Sequence, residues 1–167
     1  MTELTTPQEK LGVLFVCTGN ICRSPTAEGV FRHLLAQEGL QDRVAVDSAG
    51  THGYHVGARP DRRSTKAAAL RGYDLGGLEA RLLSDEDFVH FDYLLAMDRD
   101  HLAVLRALAP MQHNAKVAMM LDFSSRFRGI EVPDPYYGGP QGFEHVLDLI
   151  EDGASGLLAE IKHKLGL

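Results

Sequence analysis

Short apolar runs alternate with longer amphipathic stretches along this chain. Residues 11–16, 44–46, 93–96 and 116–119 are brief and apolar, and they read as strands. Between them the apolar positions recur at helical spacing. Ala27, Val30, Phe31, Leu34 and Leu35 fall at i, i+3, i+4, i+7 and i+8, so one face of a helix is buried. Ser24 reads as its N-cap, Pro25 as its first helical residue and Gly39 as its stop. Residues 61–70 and 100–108 read as further helices. A long terminal helix carries Phe143, Val146, Leu147, Ile150, Ala154, Leu157, Leu158, Ile161 and Leu165 on one face. Within it Gly153 and Gly156 each cost about 1 kcal/mol of helix propensity. Residues 51–60 read as a surface loop, 72–83 match no pattern, and 121–142 form a long Pro- and Gly-containing connection of the kind that carries function. Strands separated by helices predict an α/β fold, a parallel sheet with helices on both faces.

Composition narrows the class. At 167 residues, with 44% hydrophobic and 24% charged residues, the chain suits one globular domain. Residues 1–10 are polar and lack the apolar core of a secretory signal, so they are expected as a flexible tail before a single domain at 11–167. No apolar window is long enough to predict a membrane span. A net charge of −6 argues against broad nucleic-acid contact. The two cysteines, Cys17 and Cys22, share one loop, whereas a disulfide scaffold uses more and spreads them. A reducing cytoplasm is the expected location. His52 and His55 share a Gly-rich loop without a cysteine or carboxylate beside them, so neither a metal nor a cofactor is expected. A monomer is the expected state.

The chemistry concentrates where the first strand ends. Val13 to Val16 run into Cys17, and five residues separate Cys17 from Arg23, which precedes Ser24-Pro25. A strand, a tight loop and a helix start follow within fourteen residues. Such a loop turns its N–H groups inward, and the helix dipole adds positive potential, so an oxyanion fits there. A cysteine at its edge has its thiolate favoured. An arginine can grip two oxygens of a tetrahedral anion. A cation at a helix start is itself unfavourable, so Arg23 calls for an anion. Gly19 and Asn20 read as residues for left-handed backbone angles. Further on, Asp134 lies between two prolines. Local sequence reads it equally as a turn aspartate or as a rigidly held acid. Tyr136 and Tyr137 read as surface aromatics or as an apolar wall for an aryl ring. Cys22 reads as a small packing residue or as a redox guard that captures oxidised Cys17.

The pattern Cys17-x5-Arg23-Ser24 resembles that of protein tyrosine phosphatases. The full run Cys17-Thr18-Gly19-Asn20-Ile21-Cys22-Arg23-Ser24-Pro25, with Asp134-Pro135-Tyr136-Tyr137, resembles the low-molecular-weight class. So do Asp47-Ser48-Ala49-Gly50-Thr51, Ala80-Arg81 and Ala96-Met97-Asp98, and the likeness runs from about residue 11 to the end. The resemblance implies a flavodoxin-like four-stranded parallel sheet. It implies hydrolysis of phosphotyrosine in protein substrates through a phosphocysteine on Cys17. Arg23 grips the phosphate, and Asp134 serves as general acid and then as base. Residues Thr18, Gly19, Asn20, Ile21, Cys22 and Ser24 form the phosphate loop, with Ser24 donating to the thiolate and Ser48 and Glu28 in support. Ile21, Tyr54, Tyr136 and Tyr137 form the substrate wall, and the bulk of Ile21 favours tyrosine over arginine phosphate. In some members a cysteine at the place of Cys22 pairs with the oxidised nucleophile.

One departure concerns the loop's support. Many relatives carry His-x-Ala-Arg where this chain has Leu78-Glu79-Ala80-Arg81. Leu78 cannot tie Asn20 to Ser48, so Ser48 and Glu28 alone are expected to close the network. Three rival readings share parts of the pattern. An arsenate reductase would need cysteines downstream of Cys22, and there are none. An arginine phosphatase is disfavoured by Ile21. A non-catalytic phosphate-binding module is disfavoured by Cys17, Arg23 and Asp134 occurring together.

Overall fold

The structure is a computed structural model that describes residues 10–113 and 115–167. The expected tail lies outside the described residues except for Lys10. Four strands form one sheet, β1 (Leu11–Cys17), β2 (Val44–Gly50), β3 (Tyr93–Ala96) and β4 (Lys116–Met119). All pairs are parallel, in the order β2-β1-β3-β4. Five helices connect or follow them, α1 (Arg23–Gln37), α2 (Arg62–Leu70), α3 (Asp87–His90), α4 (Arg99–Leu108) and α5 (Pro140–Lys164). A 3-10 turn spans Met120–Phe123.

Strand periodicity sorts the core into two layers. Val13, Phe15 and Cys17 of β1 point to the layer built with α1, α2 and α5. Leu14 and Val16 point to the opposite layer, where Phe88 of α3 and Leu105 of α4 pack. Both faces of the sheet are therefore covered, as a parallel sheet requires. Among the described residues no helix is long and apolar enough to cross a membrane.

The elements run longer than the hydrophobic pattern indicates. β2 continues through Asp47 and Ser48 to Gly50, two polar positions that the pattern reads as the end of a strand. The terminal helix begins at Pro140, and the irregular part of the long connection is 124–139. Helix α1 is capped by Cys22, so Ser24 is not its N-cap and Pro25 is its third residue. Its first helical bond runs from Thr26 N–H to the Cys22 carbonyl at 3.3 Å. The first N–H groups of a helix have no partner within it, so a proline at the third position removes no hydrogen bond. Gly39 does end the helix. It has φ of 69°, its N–H donates to Ala36 and that of Leu40 to Leu35, the paired bonds of a Schellman stop.

The glycines of α5, unfavourable by propensity, are explained by packing. A Cβ on Gly156 would lie 1.7 Å from the Phe123 carbonyl oxygen, and one on Gly153 would lie 2.9 Å from Leu121 Cδ2. The helix thus presses on the backbone of the 3-10 turn at Gly156 but only on a side-chain tip at Gly153. Gly156→Ala is therefore expected to lower stability by about 3 kcal/mol despite better helix propensity, a drop in Tm of roughly 6–12 °C. Gly153→Ala is expected to cost clearly less. Calorimetry of the two variants checks the order.

Candidate active site

Strand order places a crevice where the chain folds to opposite sides of β1. From β1 the chain passes to β2 on one side and later to β3 on the other, and the carboxyl ends at such a switch form a ligand crevice. Cys17 is the last residue of β1, paired in register with Gly50. The loop after it lies against that glycine. A Cβ there would come within 2.7 Å of the Thr18 carbonyl oxygen and 3.2 Å of the Asn20 nitrogen. Residues 51–60 fold back over the same loop, with Thr51 and His52 N–H groups donating to the carbonyls of Cys17 and Thr18 at 2.9 and 3.0 Å.

Asn20 is the one non-glycine residue with positive φ among those described, at 59°. Asparagine tolerates this region at small cost. Gly19, in contrast, is not left-handed. Its lack of a side chain matters for space, since a Cβ would lie 2.9 Å from His55 Cδ2. The Asn20 amide is buried and fully used. Its Nδ2 donates to Ser24 Oγ at 2.8 Å and to Ser48 Oγ at 2.9 Å, and its Oδ1 accepts the Arg81 N–H at 3.0 Å. Ser48 in turn donates to Glu28 Oε1 at 2.7 Å, and Arg32 holds the other Glu28 oxygen at 2.8 Å. Burial works against the Glu28 charge and raises its pKa, while Ser48 and Arg32 oppose the rise. The support expected from Ser48 and Glu28 alone therefore includes the Arg81 backbone and Arg32. Leu78 takes no part and packs against the core.

The network reaches Cys17. Ser24 Oγ accepts from Asn20 and lies 2.9 Å from Cys17 Sγ, and toward a thiolate, which can only accept, the serine hydroxyl is the donor. Cys17 is buried at the carboxyl end of an interior strand. Ser24 thus faces Cys17 rather than the helix end.

Arg23 is 4% exposed and held on one side. Its Nη1 donates to Asp98 Oδ2 at 2.8 Å and to the Val132 carbonyl at 3.1 Å. Its Nη2 reaches Thr18 Oγ1 at 3.3 Å and lies 3.9 Å from Asp134 Oδ2. Asp98 is the N-cap of α4, and its Oδ1 accepts the His101 N–H at 2.9 Å. Burial disfavours the Asp98 charge, but the His101 N–H, His101 and Arg23 outweigh it and hold the carboxyl below its ordinary pKa. The anion that Arg23 calls for is therefore present within the fold.

The rim brings the remaining candidates together. Ile21, Tyr54, His55, Asp134, Tyr136 and Tyr137 line one concavity with Cys17 and Arg23. Asp134 sits in an Asx turn, with Oδ1 accepting the Tyr136 N–H at 3.0 Å. Its segment is tied down next to β3 by the Val132 N–H donating to the Met97 carbonyl at 2.9 Å. Tyr54 stacks on His52 with ring centres 5.4 Å apart and is 80% exposed, so it stands as a free flap at the mouth. Cys22 also borders the concavity but is buried among core side chains. Burial pushes its thiol up to about 12, against a smaller lowering by Ser64.

Comparison with known proteins matches this geometry. The family model described as low molecular weight phosphotyrosine protein phosphatase matches residues 12–166. The chain belongs to the low molecular weight phosphotyrosine protein phosphatase family. It is thus a protein-tyrosine phosphatase by class, a phosphoric monoester hydrolase. A relative from Synechocystis, named for the same class, is 49% identical over 92% of this chain and 98% of its own. The crystal structure of a protein tyrosine phosphatase from Entamoeba histolytica, with Hepes in its active site, superposes with a TM-score of 0.87 at 40% identity, covering 94% of this chain and 99% of that one. The structure of a Drosophila arginine phosphatase gives 0.84 at 33%, covering 90% and 97%.

Sequence reasoning missed several residues that complete this phosphatase site. Asp98 carries a readable signal as a capping aspartate before α4, but only its second oxygen touches Arg23. His55, Arg32 and His101 carry none. His101 is 2% exposed, with Nε2 2.8 Å from Thr18 Oγ1. Its Nδ1 lies 3.1 Å from Asp98 Oδ1 without hydrogen-bond geometry. Arg23 Nη2, which can only donate, also lies 3.5 Å from Nε2, so Nε2 carries the lone pair, the Thr18 hydroxyl donates to it and the proton of a neutral ring sits on Nδ1. Burial and then Arg23 lower the His101 pKa from 6.5 to about 4.

The sign of the linkage follows. A folded-state pKa below the unfolded value means that the unfolded chain binds more protons between about pH 4 and 6.5. This contribution is present above pH 6.5 and is lost as pH falls through that window, up to about 3 kcal/mol in all. His101→Asn is expected to flatten the acid arm of a urea-stability profile over this range. An unchanged slope would mean that the ring is not held neutral.

Proposed function

We propose that the enzyme hydrolyses phosphotyrosine in proteins through a phosphocysteine formed on Cys17. The observation that carries this reading is the placement of the Ser24 hydroxyl, 2.9 Å from Cys17 Sγ and held there by the Asn20 amide. A donor fixed in that direction stabilises a thiolate and is ready before substrate arrives. The thiolate attacks phosphorus in line, the bond to the tyrosine oxygen breaks, and the Asp134 carboxyl gives that oxygen its proton. Water then attacks the phosphocysteine, Asp134 takes the proton, and phosphate leaves with the thiolate restored. Arg23 is turned toward the cup by Asp98 through Nη1, which leaves Nη2 on the side of Thr18 and Asp134 to meet phosphate oxygens. Thr18, Gly19, Asn20, Ile21, Cys22 and Ser24 line the phosphate, and Ile21, Tyr54, Tyr136 and Tyr137 receive the aryl ring. Residues 11–167 act as one domain, without metal or cofactor, as a monomer in a reducing cytoplasm.

A second reading, arginine phosphate, has the likeness to the Drosophila arginine phosphatase in its favour. The bulk of Ile21 at the pocket speaks for an aryl substrate instead. An arsenate reductase lacks its downstream cysteines here. A pure binding module leaves the Asp134 and Cys17 placement without a purpose.

Cys17→Ser is expected to abolish turnover while inorganic phosphate still binds, because the cup is mainly backbone. Asp134→Asn is expected to slow phenyl phosphate by about 10²–10³ and to slow p-nitrophenyl phosphate less, since a better leaving group needs less protonation. Equal losses across a leaving-group series would remove Asp134 from the acid role. Phosphotyrosine and phosphoarginine peptides compared under one condition decide the substrate.

Cys22 is proposed as the redox partner of Cys17. At neutral pH its buried thiol is protonated, so Cys17 is the sulfur that peroxide attacks. The Cys22 thiol then displaces water from the Cys17 sulfenic acid and forms a disulfide. Peroxide inactivation is expected to be reversed by dithiothreitol in the native enzyme and to be largely irreversible in Cys22→Ser. Equal recovery, with no linked loop peptide by mass spectrometry, would leave Cys22 as packing.

A further inference from the structure

We propose that a basic strip beside the pocket, from Arg59 to Lys66, binds acidic side chains flanking the phosphotyrosine of a protein substrate. This rests on the phosphatase reading above. In eight residues the chain places Arg59, Arg62, Arg63 and Lys66 with a single carboxylate, Asp61, a net charge of +3 in a chain of −6. All four cations are exposed. Arg62, Arg63 and Lys66 share one surface concavity with Asp61.

Two contacts join the strip to the phosphate site. The Asp61 N–H donates to the carbonyl of Ile21, in the phosphate loop, at 2.7 Å. The Arg63 guanidinium carbon lies 5.3 Å from the centre of the Tyr136 ring, and Tyr136 also lines the pocket. Tyr136 is thus a wall shared between the two surfaces. An extended peptide advances about 3.3–3.6 Å per residue, so a carboxylate within about three residues of the phosphotyrosine reaches past this wall.

Three of the four cations are left unpaired by the fold among the described residues. Asp61 is engaged by Arg63, which donates to it from Nε at 3.1 Å and Nη2 at 3.0 Å. Among the described residues Arg59, Arg62 and Lys66 form no ion pair. The other end of the same helix is treated differently. There Arg71 meets Glu144, Asp148 and Glu151 of α5. Carboxylates thus neutralise α2 away from the pocket and leave Arg62 and Lys66 unpaired at its pocket end. Like charges gathered there repel one another, and an anion from outside relieves that repulsion. The rest of the molecule is acidic and would otherwise turn an acidic peptide away.

The test uses the full chain and phosphotyrosine peptides that differ only in flanking Glu, Gln or Lys. p-Nitrophenyl phosphate, too small to reach the strip, is the reference. The Glu peptide is expected to exceed the Gln peptide in kcat/KM by about three- to tenfold at low salt. The gap should close at about 1 M ionic strength, where screening acts over roughly 3 Å. Arg62→Gln with Lys66→Gln should remove the gap and leave p-nitrophenyl phosphate kinetics unchanged. Equal kcat/KM for the Glu and Gln peptides, or a gap that survives in the double variant, overturns the proposal. Absence of turnover on every phosphotyrosine substrate, p-nitrophenyl phosphate included, overturns the phosphatase reading and this proposal with it.

Discussion

The carboxamide of Asn20 ties together the segments on which the site depends. Through one side chain it joins the phosphate loop to the start of α1 at Ser24, to β2 at Ser48 and to the segment before α3 at Arg81. Each partner comes from a different stretch of sequence, and each is held by further bonds. Ser48 is fixed by Glu28, and Glu28 by Arg32. A loop whose backbone N–H groups converge on one anion is strained by its own dipoles when empty. A buried, fully satisfied polar network is what keeps such a loop open. The positive φ of Asn20 belongs to the same arrangement, because it turns the amide inward.

A second constraint is electrostatic. Arg23 opens a helix, where a cation is disfavoured, and it is buried as well. Asp98 answers both problems. Its carboxylate caps α4 with one oxygen and holds Arg23 with the other. His101 stays neutral between them and accepts from Thr18, so the guanidinium faces no second buried cation. One buried charge pair therefore orients Arg23 while leaving its outer edge toward the pocket. Beyond the rim, charge is distributed unevenly, with α2 neutralised at its far end and carrying excess positive charge at the near one.

Much of this was legible in the sequence. The four strands and the long helices follow from apolar periodicity, because a parallel sheet covered on both faces needs short apolar strands and amphipathic helices. The Cys17 to Pro25 loop and the Asp134-Pro135-Tyr136-Tyr137 turn are local, and their chemistry lies in residue types that are adjacent in the chain. The errors lay where a residue had two possible partners. Ser24 could cap a helix or serve Cys17, and proximity to sulfur and Asn20 decided for the second. Gly19 could supply a left-handed angle or room, and His55 decided for room. The polar Asp47 and Ser48 hid the end of β2, since their side chains serve Arg81 and Asn20 while their backbone stays in the sheet.

What the sequence determined by itself is the alternation of elements and the motif by which the family is known, because both depend on neighbours within a few residues. What the tertiary structure decided is which groups hold them. Asp98, His101, Arg81 and Arg32 lie far in sequence from the contacts they complete, or point by virtue of a helix turn that no pattern marks. Gly156 looks like a flaw in an amphipathic helix until α5 is laid on Phe123, where only a glycine lets the backbones meet. Local chemistry needs only adjacency in the chain. Hydrogen-bond direction, charge pairing and close packing need position in space, which the sheet order and the helix crossings set.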